Sequence, residues 1–187
     1  MKQGVSRISS AALSKKMDVT ASQIRQDFNC FGGFGQQGYG YNVPNLHEKI
    51  GEILGLNRGY SLIIIGAGHL GHALANYASF EKRGFKTIGI FDNDKEKIGT
   101  EIRGITIEDI ASLEDFCSKN SVDIAVLSVP KSQVVDITDR LVKVGVTGIL
   151  NFSYTDIPVP DGVCVENVHL SDSLMTLSYR LSEKDNN

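Results

Sequence analysis

The stretch of sequence that decides the fold is Leu62-Ile-Ile-Ile65 followed directly by Gly66-Ala-Gly-His-Leu-Gly71. A short apolar run predicts a buried strand, and the glycines have the GxGxxG spacing of a turn that opens a helix. In such a turn Gly66 permits the bend, Gly68 lets the backbone approach a pyrophosphate, and Gly71 lets the helix pack closely on the sheet. The helix N-terminus favours phosphates. The cofactor-binding residues predicted here are Gly66, Ala67, Gly68, His69, Leu70 and Gly71.

One carboxylate makes this motif more specific. Asp92 ends the second predicted strand, where a carboxylate accepts both hydroxyls of a ribose and repels a 2′-phosphate. The combination predicts a site for NADH or NAD+, and nearby Lys95 and Lys97 weaken the preference over NADP(H) a little. A purely structural turn is the alternative, but it leaves Asp92 unexplained. His69 either touches phosphate or, as is commoner at a first helical turn, faces solvent.

Strands and helices alternate along the rest of the chain. Buried apolar strands separated by helices are typical of an α/β fold with a doubly wound parallel sheet, here of the Rossmann type. The predicted strands cover residues 60–65, 86–91, 105–107, 123–129, 147–152 and 163–168. The predicted helices cover residues 70–82, 108–119, 132–144 and 171–181, and the last of these is unusually apolar for a terminal helix.

The sequence before the first of these strands has a different pattern. A serine-capped helix is followed by Thr20-Ala-Ser-Gln23, which has the form of a capping box starting a second helix. In that helix Ile24 and Phe28 point inward, while the opposite face is polar and fits a major groove. The glycine- and aromatic-rich segment 31–42 suits a compact hairpin, and residues 42–55 predict a short helix. Together these features predict a winged helix-turn-helix.

The charge distribution agrees with a nucleic-acid partner for the N-terminal part. Residues 1–43 carry five basic and two acidic side chains, a net charge of +3 within a chain whose net charge is -3. A polyanion should therefore meet this end of the chain first. A mildly basic solvated face would give the same signal.

Composition and motifs exclude several classes of protein. With no run of about 18 apolar residues and no signal peptide, we expect a soluble, cytoplasmic protein without a membrane partner. Cys30, Cys117 and Cys164 lack metal-ligand spacing, which predicts reduced thiols and no metal site. No Tyr-x-x-x-Lys pair occurs, and too few residues follow the last strands for a substrate domain. A dinucleotide site without a substrate site indicates a sensor rather than an enzyme.

The chain resembles the Rex family of bacterial redox-sensing transcriptional repressors over essentially its whole length. The motifs that carry the resemblance are Ser22-Gln-Ile-Arg-Gln-Asp-Phe28, Phe31-Gly-x-Phe-Gly-x-x-Gly-Tyr-Gly-Tyr41, Gly66-Ala-Gly-x-Leu-Gly71, Phe91-Asp-Asn-Asp94, Lys97-Ile-Gly99, Val129-Pro130 and Gly148-Ile-Leu-Asn-Phe152. The resemblance implies a homodimer whose C-terminal helix is exchanged between subunits. It also implies binding to palindromic operator DNA when NADH is scarce, and release when NADH accumulates.

The resemblance also assigns boundaries and residues. The winged helix would span residues 1–56, the Rossmann domain 60–168 and the dimerisation helix 169–187. The nicotinamide end of the cofactor site would be lined by Val129, Pro130, Asn151 and Phe152. The residues that face DNA would be Ser22, Gln23, Arg25, Gln26, Gln36, Gln37 and Tyr39.

The chain also departs from the family pattern. Members of the family begin with a further helix, so either the start lies upstream or the DNA-binding unit is incomplete. Gln26, Gln36 and Gln37 stand where basic residues are usual, while Tyr154 replaces a proline and His169 an acidic residue. A dimeric NADH-binding paralogue that has lost DNA binding is therefore one alternative. A small NAD-dependent oxidoreductase is a more remote one, because a catalytic acid is missing.

Overall fold

The computed structural model describes residues 6–32, 34–36 and 39–185, and the chain divides into two compact units, residues 1–58 and 59–187. The elements of the first unit are β1 (Arg7–Ile8), α1 (Ser10–Met17), α2 (Ala21–Cys30), β2 (Gly35–Gln36), β3 (Gly40–Asn42) and α3 (Val43–Ile53). Those of the second are β4 (Tyr60–Ile65), α4 (His69–Ala75), α5 (Ser79–Lys82), β5 (Phe85–Asp92), β6 (Glu101–Ile102), β7 (Ile105–Asp109), α6 (Leu113–Lys119), β8 (Ile124–Leu127), α7 (Lys131–Lys143), β9 (Gly148–Asn151), β10 (Cys164–Asn167) and α8 (Leu170–Asp185). Within the described residues, no helix combines the length and hydropathy that a bilayer-spanning segment requires.

Over its described residues, the first unit combines three helices with a small antiparallel sheet of strand order β1-β3-β2. Each helix begins at a side chain that accepts a main-chain N–H three residues later, and these capping residues are Ser9, Thr20 and Asn42. Ile24, Tyr41 and Leu46 form the core, and the Phe28 ring lies edge-on to Tyr41 at 4.9 Å. The predicted pair of helices followed by a hairpin is confirmed, with β1 as an additional strand.

The predicted capping box also requires the Gln23 side chain to reach back to the backbone of Thr20, and this half of the prediction is wrong. The Thr20 hydroxyl accepts the Gln23 N–H at 3.1 Å, as expected, but the Gln23 side chain does not return to Thr20. Its Nε2 donates instead to Asp27 Oδ1 at 2.7 Å, one turn further along the same helix face. A charged acceptor at the i+4 position competes well with the neutral backbone.

The second unit is built on a seven-stranded sheet of order β10-β9-β8-β4-β5-β7-β6. All neighbouring strands are parallel except β6, which forms an antiparallel hairpin with β7. One face of the sheet buries a core beneath α6 and α7, and the other buries a second core beneath α4. The doubly wound parallel sheet predicted from the sequence is therefore confirmed.

Several predicted helices have different boundaries in the structure, and two of them differ for a clear local reason. The helix expected over 70–82 is divided into α4 and α5, and the Asn76 side chain at the break donates to the His72 carbonyl at 3.0 Å. Asparagine favours helix ends because its amide competes with the main-chain ladder. The helix expected from residue 108 begins at α6, because β7 continues to Asp109, whose carboxylate caps a short 3-10 turn by accepting the Ala111 N–H.

Candidate dinucleotide site and candidate nucleic-acid interface

A cavity of about 620 Å³ opens in the second unit, at the carboxyl ends of β4, β5 and β8. The strand order reverses at this point, because β4 lies between β5 and the later strand β8. Ligands of open α/β sheets bind at such a reversal, and this volume is in the range of cofactor sites. The lining residues come from the glycine loop, the turn after β5, the loop after β8 and one face of α7.

The glycine loop fits close approach by a pyrophosphate. Gly66 has a φ of +96°, and a Cβ there would lie 2.6 Å from the Ser128 carbonyl oxygen. A Cβ at Gly71 would collide with the Gly66 carbonyl oxygen, so only glycine lets α4 start this close to β4. A Cβ at Gly68, in contrast, would meet no atom of the described chain within 4 Å. The backbone at Gly68 therefore faces open space in the cavity, where a ligand could contact it.

The other predicted loop residues take different positions. Ala67 is buried, and its N–H donates to Asp92. His69 and Leu70 form the exposed first turn of α4 and do not line the cavity. Cofactor contact by these two side chains stays a prediction, and the exposure of His69 agrees with its solvent-facing interpretation.

Asp92 lies at the end of β5, only 8% exposed, with both carboxylate oxygens engaged. Oδ2 accepts the Ala67 N–H at 2.6 Å and lies 3.3 Å from Lys97 Nζ, while Oδ1 accepts the Asp94 N–H at 2.9 Å. Burial raises the pKa of Asp92, but the hydrogen bonds from Asp94 and Ala67 and the Lys97 ammonium outweigh it, so the pKa is lowered overall. The carboxylate is therefore ionised at neutral pH, as an acceptor of ribose hydroxyls must be.

The four residues predicted at the nicotinamide end divide into two pairs. Val129 and Pro130 follow β8 and line the cavity. Asn151 and Phe152, at the end of β9, are not among its lining residues, and Phe152 packs against the core on the α4 face of the sheet. Direct contact of this second pair with the cofactor stays a prediction.

Asn151 holds the loop that follows β9. Its side chain is 1% exposed, donates from Nδ2 to the Thr155 carbonyl and to Asn167 Oδ1, both at 2.8 Å, and accepts the Ser153 N–H at 2.9 Å. Ser153 Oγ in turn donates to the Val129 carbonyl at 2.7 Å. The loop is thus tied to the cavity wall on one side and to the residues that precede α8 on the other.

Two of the residues expected from the sequence to depart from the family pattern contact each other beside this loop. The rings of Tyr154 and His169 meet edge to face, with centroids 4.7 Å apart. Tyr154 has a φ of 45°, a left-handed conformation that is uncommon for an aromatic residue. The contact adds another link between the loop after β9 and the start of α8.

Three polar residues on α7 line the cavity although sequence reasoning did not identify them. Gln133, Asp136 and Arg140 share one helix face because their spacings are three and four residues. The Arg140 guanidinium donates to both oxygens of Glu114, at 2.6 and 2.7 Å, and to the Ile110 carbonyl at 2.7 Å. This pairing lowers the pKa of Glu114 to about 2. The polar stripe along a helix that follows a cofactor-binding loop was the signal available in the sequence.

In the first unit, the polar face of α2 is exposed as predicted. Ser22, Gln23, Arg25 and Gln26 are all exposed. The Arg25 guanidinium donates to Ser10 Oγ at 3.1 Å and so joins α2 to α1. Arg25 nevertheless remains on the exposed face of α2, where it could contact a base edge in a DNA groove or a phosphate.

The hairpin that forms the candidate wing carries an exposed aromatic residue. Tyr39 is 70% exposed, and the Arg7 guanidinium lies 5.9 Å from its ring centroid while donating to its carbonyl at 3.3 Å. Gln36 lies in β2, and Gln37 lies outside the described residues. Arg7 was not predicted as a site residue, because its proximity to Tyr39 depends on the pairing of β1 with β3.

Within the described part of the chain, no group of three or more His, Cys, Asp or Glu residues is placed to hold a metal ion. The cysteines there are free thiols. Burial, and then the neighbouring Glu114 carboxylate, raise the pKa of Cys117.

Comparisons with known proteins identify close relatives. The sequence model of the family described as "CoA binding domain" matches residues 57–155, and that of "Putative DNA-binding protein N-terminus" matches residues 1–29. The redox-sensing transcriptional repressor Rex of Thermoanaerobacter sp. (strain X514) is 56% identical over 185 residues, which cover 99% of this chain and 83% of that protein. A crystal structure of RSP in complex with β-NAD+ and operator DNA matches with a TM-score of 0.92 and 55% identity, over 98% of this chain and 85% of that one. RSP in complex with β-NADH matches with a TM-score of 0.89 and 52% identity, over 97% and 84% of the two chains.

Proposed function

Because the chain belongs to the Rex family of redox-sensing transcriptional repressors, we propose that it is a cytoplasmic repressor that binds operator DNA through its first unit and releases it when NADH binds to its second. The observation that carries the proposal is the cavity in which the open backbone at Gly68 and the ionised Asp92 lie together. A small oxidoreductase is disfavoured, because the relatives are named as repressors.

The residues of the cavity divide the work of holding a dinucleotide. The Asp92 carboxylate accepts the hydroxyls of the adenosine ribose, and the backbone of the glycine loop approaches the pyrophosphate. Val129 and Pro130, which line the cavity, would border the nicotinamide half, and Asn151 would support Val129 through Ser153. The chemistry that such a cofactor supplies to a sensor is the difference in charge between its oxidised and reduced nicotinamide rings.

Regulation follows as a shift between two populations of the protein. NADH must bind the state that cannot hold DNA more tightly than the state that can, and couplings of about 1–3 kcal/mol are usual. NAD+ must lack this differential affinity. The links from Asn151 and Tyr154 to the start of α8 support a route from the cofactor site to that helix.

The first unit supplies the DNA-binding surface. Arg25 on the exposed face of α2 would contact a guanine edge or a phosphate of the DNA. Tyr39 and Arg7 would contact the sugar-phosphate backbone of the DNA from the wing. Because positions 36 and 37 of the wing are glutamines, the wing has two fewer positive charges than that of a relative with lysines there. We therefore expect weaker DNA binding, and an affinity that depends less steeply on salt concentration, than in such a relative.

A homodimer is the proposed assembly, and it would recognise a palindromic operator. In α8, Leu170, Leu174, Leu177 and Leu181 form one stripe and are 53–68% exposed. The second unit also has an open, largely apolar groove of about 440 Å³ that crosses β4, β8, β9 and β10. The α8 stripe of a second copy is the proposed occupant of this groove, because both apolar surfaces would then be buried.

The repressor proposal is tested with the full chain and a labelled duplex carrying the operator of RSP. Fluorescence anisotropy at low salt should show binding that NADH abolishes and NAD+ leaves intact, whereas a scrambled duplex should bind more weakly. Arg25→Gln should weaken operator binding by at least tenfold without changing NADH affinity. Gln36→Lys with Gln37→Lys should strengthen binding to all duplexes and steepen the salt dependence by up to about two phosphate contacts.

One result separates the proposal from its main alternative. If the native chain and the lysine variant both bind NADH in calorimetry but neither binds the operator at low salt, the paralogue without DNA binding replaces the repressor.

The homodimer is tested by sedimentation velocity at micromolar concentration. The native chain should sediment as a dimer, and both deletion of residues 170–187 and Leu174→Ser with Leu177→Ser should give monomers. Lys184→Ser on the same helix is the matched control and should remain dimeric. A native monomer would exclude the exchanged helix.

A further inference from the structure

Lys97 occupies a position at the ribose end of the cavity that the binding of NADH does not by itself explain. Its Nζ lies 3.3 Å from Asp92 Oδ2 and 3.2 Å from Asp94 Oδ2, and the residue lines the cavity. The Lys97 carbonyl accepts the Thr100 hydroxyl at 2.6 Å and the Thr100 N–H at 3.0 Å. The turn therefore fixes the backbone of Lys97, and the ammonium is held beside the carboxylate that selects the ribose.

The charges at this end of the cavity oppose one another. Asp92 and Asp94 contribute two negative charges next to the expected 2′ position, and Lys97 contributes one positive charge between them. The hydrogen bond to Asp94, and then that to Asp92, raise the pKa of Lys97, while burial opposes them only partly. The ammonium is therefore charged at neutral pH. A 2′-phosphate placed here would be repelled by two groups and attracted by the third.

We propose that Lys97 sets how strongly the cavity discriminates against a 2′-phosphate, so that NADPH is a second, weaker ligand of the same site. This rests on the proposed dinucleotide function. Asp92 supplies the preference for a free ribose hydroxyl, and Lys97 limits that preference by compensating the charge that a phosphate would meet. The two residues are thus opposed determinants of one selectivity, and Asp94 adds to the repulsion.

A nearby lysine provides a matched control. Lys95 lies two residues away, is exposed, and is not among the residues that line the cavity. Removing its charge changes the net charge of the protein by the same amount as removing that of Lys97. Only the position of the ammonium differs between the two variants.

The experiment is calorimetric titration of the native chain, Lys97→Met, Lys97→Arg and Lys95→Met with NADH and with NADPH. Lys97→Met should increase the ratio of NADH to NADPH affinity by about tenfold, with most of the loss falling on NADPH. Lys97→Arg and Lys95→Met should keep the native ratio within threefold. In Lys97→Met the phosphate meets only repulsion, so raising the salt from 50 to 500 mM should reduce the discrimination more than in the native chain.

A second pair of variants tests whether Asp92 and Lys97 have opposite effects on NADPH binding. Asp92→Asn should bring NADPH affinity to or above that of NADH, and adding Lys97→Met to it should remove that gain. An unchanged ratio in Lys97→Met, with NADH still bound, would overturn the role of Lys97 and leave the dinucleotide site standing. If the native chain bound neither dinucleotide, the proposed function would fall and this inference with it. Circular dichroism melts of each variant verify that the fold is retained.

Discussion

The two units of the chain differ in how deeply their cores are buried. In the second unit, side chains at the centre of the sheet, such as Ile63 and Val126, have no exposed surface. In the first, the buried apolar residues within its described part are Ile24, Tyr41 and Leu46, each 3–9% exposed. A large sheet covered by helices excludes water from whole layers of side chains, whereas the short helices and strands described in the first unit do not.

The difference bears on how each unit serves its site. The cofactor cavity lies at the ends of strands whose side chains are fixed by close packing, so its walls are preorganised. The exposed face of α2 depends on a thinner core, and Ile50, Ile53 and Leu54 at the end of α3 remain 37–61% exposed. We therefore expect the first unit to open at a lower free energy than the second.

The largest expected effect is that of removing a central side chain from each core. Leu127→Ala in β8 should cost about 3–5 kcal/mol of unfolding free energy, because the packed sheet cannot collapse into the void that the missing side chain leaves. Leu46→Ala in α3 should cost nearer 2 kcal/mol, because the thin core can rearrange. Urea unfolding monitored by circular dichroism measures the total loss of unfolding free energy in each variant. Hydrogen exchange then shows in which unit that loss occurs. If Leu46→Ala also abolished NADH binding, the two cores would unfold together and the first unit would not open separately.

Adding NADH should stabilise the second unit preferentially. At a free concentration of about 100 times its dissociation constant, a ligand adds about 2.7 kcal/mol to the state that binds it. Hydrogen exchange should slow most in β4, β5 and β8, and Asp92→Ala should remove most of this protection at the same NADH concentration. Equal slowing throughout α1 and α2 would instead indicate that the two units unfold together.

Much of the fold could be predicted from the sequence, because the signals were local. The strand Tyr60–Ile65 and its glycine loop are continuous in the chain, as are the capping residues of α1 and α2. The missed elements depend either on local competition or on pairing between distant residues. Asn76 divides a helix whose apolar pattern continues past it, and the β6–β7 hairpin rests on a two-residue turn at Arg103 and Gly104, both with positive φ. Strand β1 exists only because it pairs with β3, more than 30 residues further along the chain.

Site residues could be predicted from the sequence where the residue type and its position in the chain together indicate a function. Asp92 at a strand end and the GxGxxG loop needed no knowledge of distant contacts. Arg140 could not be assigned in this way, because its role depends on Glu114 and on the neighbouring cavity. Asn151 was expected to face the cofactor, but its hydrogen bonds within the loop are a property of the folded chain.

A smaller effect is expected from the cap of α2. Thr20→Ala removes the acceptor for the Gln23 N–H and should cost about 1 kcal/mol, confined to the first unit. Thr20→Ser, which keeps the hydroxyl, is the control and should retain most of the stability. Hydrogen exchange should accelerate in α2 while the strands of the second unit are unaffected. If exchange accelerated equally in α2 and β4, the two units would not differ in local stability.

The smallest expected effect distinguishes the second unit by its response to pH. Arg140 holds Glu114 through two short bonds, and the pKa of Glu114 is lowered from an ordinary value of 4.5 to about 2. A carboxyl whose pKa is lowered by folding adds stability above its unfolded pKa and loses it as the pH falls towards the folded one. Glu114→Gln should therefore cost stability at pH 7 and converge with the native chain as the pH falls from about 4.5 towards 2. Since the two side chains are 25% and 47% exposed, solvent screening should keep the cost below about 1 kcal/mol.

Urea unfolding at pH 7, 5 and 3 measures this difference, and Asp115→Asn provides a matched control on the same helix. Asp115 pairs with Lys119 at 2.7 Å, but both side chains are 67–68% exposed, so its loss should cost less at every pH. Because Glu114 and Arg140 join α6 to α7 beside the cavity, the acid-dependent part of the loss should appear in the exchange of α7 and leave α1 and α2 unaffected. A difference that persisted undiminished at pH 3 would mean that Glu114 stabilises the cavity wall through packing and not through its charge.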